Sequence, residues 1–234
     1  MATAPLNLEN PQRPVHVGVI LLNSVTEILD VAPVEFFSML GVSEDFGMPE
    51  GMLPPPQVTS QAIDFRIYWV SEAGPPTTMK LTSNIHLVPT DSFETCPPLD
   101  IVLIGAQRFN YTPTAAELAF VRKAYEESSA FLTICGGIGA PLLAGLLEGK
   151  TATGPRDFLP LMREQAPEVN WVEKRWVRDG KLWTSGSVLN GTDMMRAFGR
   201  EIWGGRMGGK GGLLERMERV GAWPARDVDF KDEV

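Results

Sequence analysis

The sequence predicts an α/β domain built around a mainly parallel sheet, and three observations agree on this. Short apolar runs of strand length alternate along the chain with amphipathic segments of helical length. Strands separated by helices run parallel within one sheet, and the helices cover both of its faces. The chain has 234 residues, which is enough for one such domain with a sizeable core.

The first half of the chain is predicted to begin with a strand and a helix. An apolar run over 15–22 ends at the turn residues Asn23-Ser24 and predicts the first strand. The apolar residues of 28–40 recur at helical spacing and lie on one face of a helix. The same reasoning gives strands at 65–71 and 100–104, a loop at 105–109, and a hairpin of 79–81 with 85–88 around Ser83-Asn84.

The second half continues the alternation. Residues 113–128 form an amphipathic helix that Thr112 or Thr114 would cap. Residues 171–184 are predicted to form two short strands around Asp179-Gly180, a dipeptide typical of hairpin turns. The remaining elements are a strand at 131–134 and helices at 157–165, 190–203 and 213–220.

Composition divides the chain into three parts. Residues 1–14 are a polar arm without the basic and apolar regions of a signal peptide. Residues 15–203 are predicted to form the single domain, interrupted at 43–60 by a proline-rich insertion with no core of its own. Residues 204–234 are predicted to be a glycine-rich connection followed by a C-terminal helix and tail.

Charge and residue counts argue against several classes of function. The net charge of −8 disfavours binding to nucleic acid or to an anionic membrane, and no apolar run approaches the ~20 residues of a membrane span. Two histidines and two cysteines favour neither a metal site nor a disulfide framework, and we expect no cofactor. Cys96 precedes two prolines in a turn and is interpreted as structural.

Lys174, Arg175 and Arg178 alternate with tryptophans, as on an exposed strand face. A reducing cytoplasm is the expected location.

The most informative segment is the one around Cys135. The apolar run 131–134 leads directly into Cys135, Gly136 and Gly137, followed by an apolar stretch of helical length. A nucleophile on a sharp turn between strand and helix has its side chain exposed above the sheet, and glycines permit the turn. The start of a helix also favours a thiolate over a thiol. The sequence therefore predicts a reactive cysteine, with a small buried cysteine as the alternative.

Several motifs in order along the chain resemble one known family. They are Leu29-Asp30 followed by Pro33, the turn at Cys135, the run Ala144-Gly145-Leu146-Leu147-Glu148-Gly149-Lys150-Thr151-Ala152-Thr153, and the stretch from Thr184-Ser185-Gly186 to Asp193. Together they resemble the DJ-1/PfpI family, and more narrowly its isonitrile hydratase-like branch, including fungal members. The resemblance covers about residues 15–203.

The resemblance implies a flavodoxin-like three-layer α/β/α sandwich, a homodimer, and a small-molecule substrate. It implies that Cys135 is the nucleophile and Asp30 the neighbouring carboxylate that acts as acid and base. The implied reaction adds water to an isonitrile and gives an N-substituted formamide. From the residues alone, Asp30 could instead cap the helix, and Glu27 and Glu35 are competing carboxylates, with Glu35 more typical of a helix surface.

Three positions depart from the resemblance. Gly136 stands where hydratases resemble one another in carrying threonine, Pro155-Arg156 stands where many relatives carry histidine, and the loop after residue 104 reads Gly105-Ala106-Gln107. No cysteine–histidine pair is therefore predicted, and His16 is interpreted as structural. Backbone N–H groups of Ala106 or Gln107 with that of Gly136 could still stabilise an anion, beside Gly137.

Two further sets of alternatives stay open at this point. Ile138, Phe109 and Trp176 could line an apolar substrate pocket, although core packing also explains each of them. The departures also favour another cysteine-dependent hydratase or lyase, glyoxalase-like or biosynthetic. A non-catalytic redox sensor is the alternative from another class of function. Asp193 is interpreted as a helix cap or a structural ion-pair partner.

Overall fold

The computed structural model describes residues 5–41 and 54–232. The strands of these ranges are β1 (Val15–Ile20), β2 (Val25–Thr26), β3 (Phe65–Ser71), β4 (Met79–Leu81), β5 (His86–Leu87), β6 (Asp91–Ser92), β7 (Ile101–Ile104), β8 (Ala130–Ile134), β9 (Thr151–Ala152), β10 (Asn170–Trp171), β11 (Trp176–Asp179) and β12 (Leu182–Ser185). The helices are α1 (Ile28–Val31), α2 (Glu35–Leu40), α3 (Pro56–Thr59), α4 (Ala115–Glu127), α5 (Gly139–Leu143), α6 (Leu159–Gln165), α7 (Asn190–Met207) and α8 (Leu213–Val220).

Seven strands form the central sheet, in the order β11-β12-β8-β7-β1-β3-β6. All neighbours in it run parallel except β11, which is antiparallel to β12. In a parallel sheet the carboxyl ends of the strands lie at one edge, which is where ligands bind in such folds. Strands β1, β7 and β8 are adjacent, so the segments that follow them meet at the middle of that edge.

Alternating side chains of the central strands divide the core into two layers. On β1, Val17 and Val19 face one cluster with the helices α2, α7 and α8, whereas Ile20 faces the other cluster with α4, α5 and α6. Helices therefore cover both faces of the sheet. The predicted three-layer α/β/α sandwich is confirmed.

Two predicted helices have different bounds in the structure. The 28–40 segment divides into α1 and α2, because a 3-10 turn that contains Pro33 interrupts it. Its predicted apolar face is nevertheless buried. Helix α7 continues four residues beyond the predicted end at Trp203, so Gly204 and Gly205 are helical and do not belong to a connection. In the added turn Met207 is 1% exposed and packs in the core.

The prediction of two strands over 171–184 is correct only in part. Strand β11 begins at Trp176, and Trp171 pairs instead with β9 in a separate two-stranded sheet. Arg175 is only 2% exposed, so the expectation of an exposed basic face was wrong there. The hairpin of β4 and β5 is confirmed, with Ser83 and Asn84 both at positive φ.

The proline-rich insertion at 43–60 falls mostly outside the described residues, and its end forms the short helix α3. The polar arm is described from residue 5 onward, and Leu8 is buried with its carbonyl accepting the Trp203 indole N–H at 2.7 Å. None of the helices in the described part of the chain is long and apolar enough to cross a membrane.

Candidate active site

Cys135 lies on the turn immediately after β8, as the sequence predicts. Its φ is +58°, a conformation that non-glycine residues rarely adopt and that is concentrated at functional sites. Its N–H donates to the Gly186 carbonyl at 2.9 Å. A Cβ at Gly137 would lie 2.3 Å from the Ile104 carbonyl oxygen, so glycine there lets the turn approach the end of β7. The Cys135 side chain remains half-buried.

Asp30 is fully buried beside this turn and does not cap the helix. The N-cap of α1 is Glu27, whose carboxylate accepts from the Leu29 N–H. Asp30 Oδ2 accepts the Ala106 N–H at 2.9 Å, whereas Asp30 Oδ1 is buried without a hydrogen-bond partner. A Cβ at Gly105 would lie 2.8 Å from that of Asp30, so Gly105 allows the loop after β7 to pack against the carboxylate.

Burial changes the acidity of Asp30. Removal from water, with a smaller contribution from the nearby charge of Glu27, raises the pKa of Asp30 to about 7. The Ala106 N–H and the Cys135 side chain act in the opposite direction. A carboxyl group with this pKa exchanges a proton near neutral pH, which is the property of a general acid or base. Its unpartnered Oδ1 is the atom free to carry that proton.

The acidity of Cys135 differs from the sequence-based expectation. Burial raises the pKa of Cys135, and the charge of Asp30 adds to this effect. Hydrogen bonds from the backbone N–H groups of Val188 and Gly136 favour the thiolate but do not prevail. Cys135 begins a four-residue 3-10 turn and not an α-helix, so the expected helix-terminus stabilisation is weak. Cys135 therefore needs a base, and Asp30 is adjacent.

Of the predicted anion-binding groups, the Ala106 N–H already has a partner. The Ala106 N–H is already bound to Asp30, and the Gln107 side-chain amide donates to the Gly105 carbonyl. The Gly136 N–H instead contacts the sulfur of Cys135. A Cβ at Gly136 would lie 3.2 Å from that of Ala106, so even a small side chain there requires Ala106 to move by a few tenths of an ångström.

The proposed pocket residues occupy three different settings. Ile138 is 1% exposed and packs in the core, and Trp176 stacks against the buried Trp183 with ring centroids 5.6 Å apart. Phe109 is 84% exposed, and its ring contacts that of Phe158 at 4.8 Å. Of the three, only Phe109 extends from a loop at the carboxyl edge of the sheet into solvent.

The other titratable candidates have structural settings. His16 lies on β1, and its Nδ1 is 3.2 Å from the Pro98 carbonyl oxygen. Glu35 is exposed on α2. Cys96 donates to the Pro97 carbonyl, and burial raises its pKa to about 12. Asp193 pairs with Arg226, as an ion-pair partner should. Across 5–41 and 54–232 there is no group of three or more residues suited to hold a metal ion.

Sequence reasoning missed two neighbours of the site. Val188, in the loop after β12, has an unusual φ of +33°, and a hydrogen bond from its backbone lowers the pKa of Cys135. Glu27 acts on both Asp30 and Cys135 through its charge. From the sequence, Glu27 is only an alternative carboxylate to Asp30. Nothing in the sequence near Val188 distinguishes it from any other apolar loop residue.

The fold and the site together define a flavodoxin-like α/β protein with a cysteine on a strained strand-to-turn junction and a buried carboxylate beside it. The DJ-1/PfpI family model matches residues 50–202. The chain therefore belongs to the DJ-1/PfpI family.

Individual relatives and solved structures resemble the chain to different extents. Isonitrile hydratase from Pseudomonas putida is 31% identical over 128 residues, which are 53% of this chain and 54% of the relative. The chain thus matches about half the length of that curated relative. A ThiJ/PfpI family protein from Pseudomonas syringae has a TM-score of 0.67 at 18% identity, over 95% of this chain and 80% of that one. DJ-1beta from Drosophila melanogaster has a TM-score of 0.65 at 14% identity, over 91% of this chain and 100% of that one.

Proposed function

We propose that this protein hydrates an isonitrile to an N-substituted formamide, with Cys135 as nucleophile and Asp30 as acid and base. The observation that carries the proposal is the pairing of a half-buried thiol with a fully buried carboxyl group whose pKa is about 7. Such a carboxyl group can accept and return a proton at neutral pH without a histidine. The similarity to an isonitrile hydratase supports the choice of substrate class.

The first half of the reaction forms a covalent intermediate. Asp30 removes the proton of the Cys135 thiol, and the sulfur bonds to the terminal carbon of the isonitrile. The same proton passes from Asp30 to that carbon, which gives an S-linked thioimidate with the formula of the thiol plus the isonitrile. The Val188 and Gly136 N–H groups stabilise the transient thiolate.

The second half consumes water. Asp30 takes a proton from water as the oxygen bonds to the thioimidate carbon, and it passes that proton to the nitrogen. Asp30 then removes the proton of the new hydroxyl group as the carbon–sulfur bond breaks and the formamide leaves, and it returns this proton to the sulfur. The sum is one isonitrile and one water to one formamide, so Asp30 ends each cycle as it began. The steps use only the thiol, the carboxyl group and water.

The high pKa of Cys135 weighs against the redox-sensor alternative. Cysteines that sense peroxide are accessible and have a low pKa, because the thiolate is the species that is oxidised. Burial and the charge of Asp30 raise the pKa of Cys135 instead. A thiol that depends on an adjacent base suits catalysis better than sensing.

Turnover of an aryl isonitrile tests the proposal, with the formamide quantified by chromatography. We expect formamide from the wild type and a loss of at least about 100-fold in Cys135→Ala and Asp30→Asn. Cys96→Ala serves as the matched control for the thiol and should keep full activity. Activity that survives in Cys135→Ala would contradict the assignment of the nucleophile.

The proposal includes a homodimer acting on a small molecule, as the family resemblance implies. Light scattering of the purified protein measures this directly. A mass of about twice the 25.7 kDa of one chain is expected, and a mass of one chain would contradict it.

A further inference from the structure

The C-terminal segment 223–232 packs against the residues that hold Cys135 in place. A line of backbone hydrogen bonds joins them: the Arg175 N–H donates to the Val228 carbonyl, the Gly186 N–H to the Arg175 carbonyl, and the Cys135 N–H to the Gly186 carbonyl. All three lie between 2.8 and 2.9 Å. The tail is thus linked in three steps to the backbone of the candidate nucleophile.

Arg226 provides a second link, to the loop that carries Val188. Its guanidinium pairs with the carboxylate of Asp193, which is 2% exposed, and also donates to the Leu189 carbonyl at 3.0 Å. The Arg226 backbone N–H adds a bond to Asp193 at 3.2 Å. Forked pairing of this kind fixes orientation as well as distance. Leu189 directly follows Val188, whose φ of +33° must be held by its surroundings.

Arg175 forms several side-chain contacts that hold the segment 223–232 against the domain. Its guanidinium is buried, and it donates to the Asp227 carbonyl and to Asp232, each at 2.8 Å. It also lies over the Phe230 ring, 4.4 Å from the centroid. A buried cation is costly unless it is paired, so these tail contacts stabilise the arrangement around β11. Arg156 lies over the same ring at 4.3 Å.

We infer that segment 223–232 positions the loop 186–189 against Cys135, with Arg226 as its anchor, and so sets the reactivity of the thiol. Arg226 is a positioning residue, since it acts through Leu189 and Val188. Without it the loop would relax away from its strained conformation, and the Gly186 carbonyl that accepts the Cys135 N–H would shift with it. The backbone hydrogen bonding around the thiolate would then weaken.

Alkylation of Cys135 by iodoacetamide across pH tests this inference in the full chain. We expect Arg226→Gln to slow alkylation at pH 7.5 by about three- to tenfold, because a weakened hydrogen bond to a charged group is worth up to about one decade in the equilibrium. The midpoint of the pH profile should move upward. Arg66→Gln is the matched control, since it removes an exposed arginine–aspartate pair on β3 and should change neither quantity.

The inference rests on Cys135 being the reactive thiol of the proposed function, but the assay needs no isonitrile. Failure to hydrate isonitriles therefore leaves the alkylation result interpretable, and loss of labelling in Cys135→Ala identifies the alkylated site. An Arg226→Gln protein with lower thermal stability but an unchanged rate and midpoint would overturn the inference. If that variant does not fold, Arg226→Lys keeps the charge without the fork. It should show a smaller shift in the same direction, and no shift would overturn the inference equally.

Discussion

Asp30→Asn should lose its activity. Its stability relative to that of the wild type should increase as the pH rises. The pKa of a free aspartate is about 3.9, and that of Asp30 is about 7 because the group is buried. Between these values the unfolded state is ionised and the folded state is protonated. The unfolded state then binds fewer protons, so the stability of the wild type falls as the pH rises through this window.

The size of the effect follows from the same two values. The difference between the two pKa values lowers the stability of the wild type by about 1–2 kcal/mol at pH 5 and by about 4 kcal/mol above pH 7. Asparagine cannot ionise, and its buried amide adds a cost that does not depend on pH. The stability of Asp30→Asn relative to the wild type should therefore increase by about 2–3 kcal/mol between pH 5 and pH 8.

Urea denaturation followed by circular dichroism at pH 5, 6, 7 and 8 measures this difference. Asp157→Asn is the matched control, because it makes the same chemical change at an exposed position and should give a constant difference. A difference between Asp30→Asn and the wild type that stays constant within about 1 kcal/mol would refute the raised pKa.

Two more predictions concern the neighbours of the pair. Glu27→Gln removes a charge that raises the pKa of Asp30, so the midpoint of the pH-dependent stability difference should move to lower pH in the same denaturation series; an unchanged midpoint would exclude this role. Gly137→Ala should cost about 1–3 kcal/mol or more in urea, because its Cβ would meet backbone at 2.3 Å. Gly136→Ala should cost less, since its Cβ meets the Ala106 side chain at 3.2 Å and not backbone at 2.3 Å, and equal losses in both would contradict the geometry.

The sequence predicts the position of Cys135 because that signal is local. A buried strand followed by a cysteine and two glycines can form a sharp turn, and the close contact of Gly137 with the end of β7 explains why glycine is needed there. The alternation of strands and helices likewise predicts the layers and the edge of the sheet at which the site lies. The role of Asp30 as a neighbour of Cys135 came from the family resemblance and not from local pattern.

The electrostatics of the site could not be predicted from sequence, because they depend on burial and on distant contacts. The helix start at Cys135 suggested a stabilised thiolate, yet burial and Asp30 raise its pKa. Arg175 resembled an exposed basic residue, but partners more than 50 residues away allow it to be buried. The contacts of Val188 and Arg226 could not be predicted for the same reason. They depend on how the loop after β12 packs against segments that are distant in sequence.

The central claim is that Cys135 bonds to the isonitrile carbon, and rapid quenching followed by mass spectrometry of the intact protein and of its peptides tests it most directly. Wild-type protein mixed with an aryl isonitrile should gain the mass of one isonitrile molecule on the peptide that contains Cys135. That adduct should disappear as the formamide forms, and Cys96→Ala should behave identically. Formamide production without any adduct, together with full turnover by Cys135→Ala, would contradict the account and would mean that water attacks the isonitrile directly.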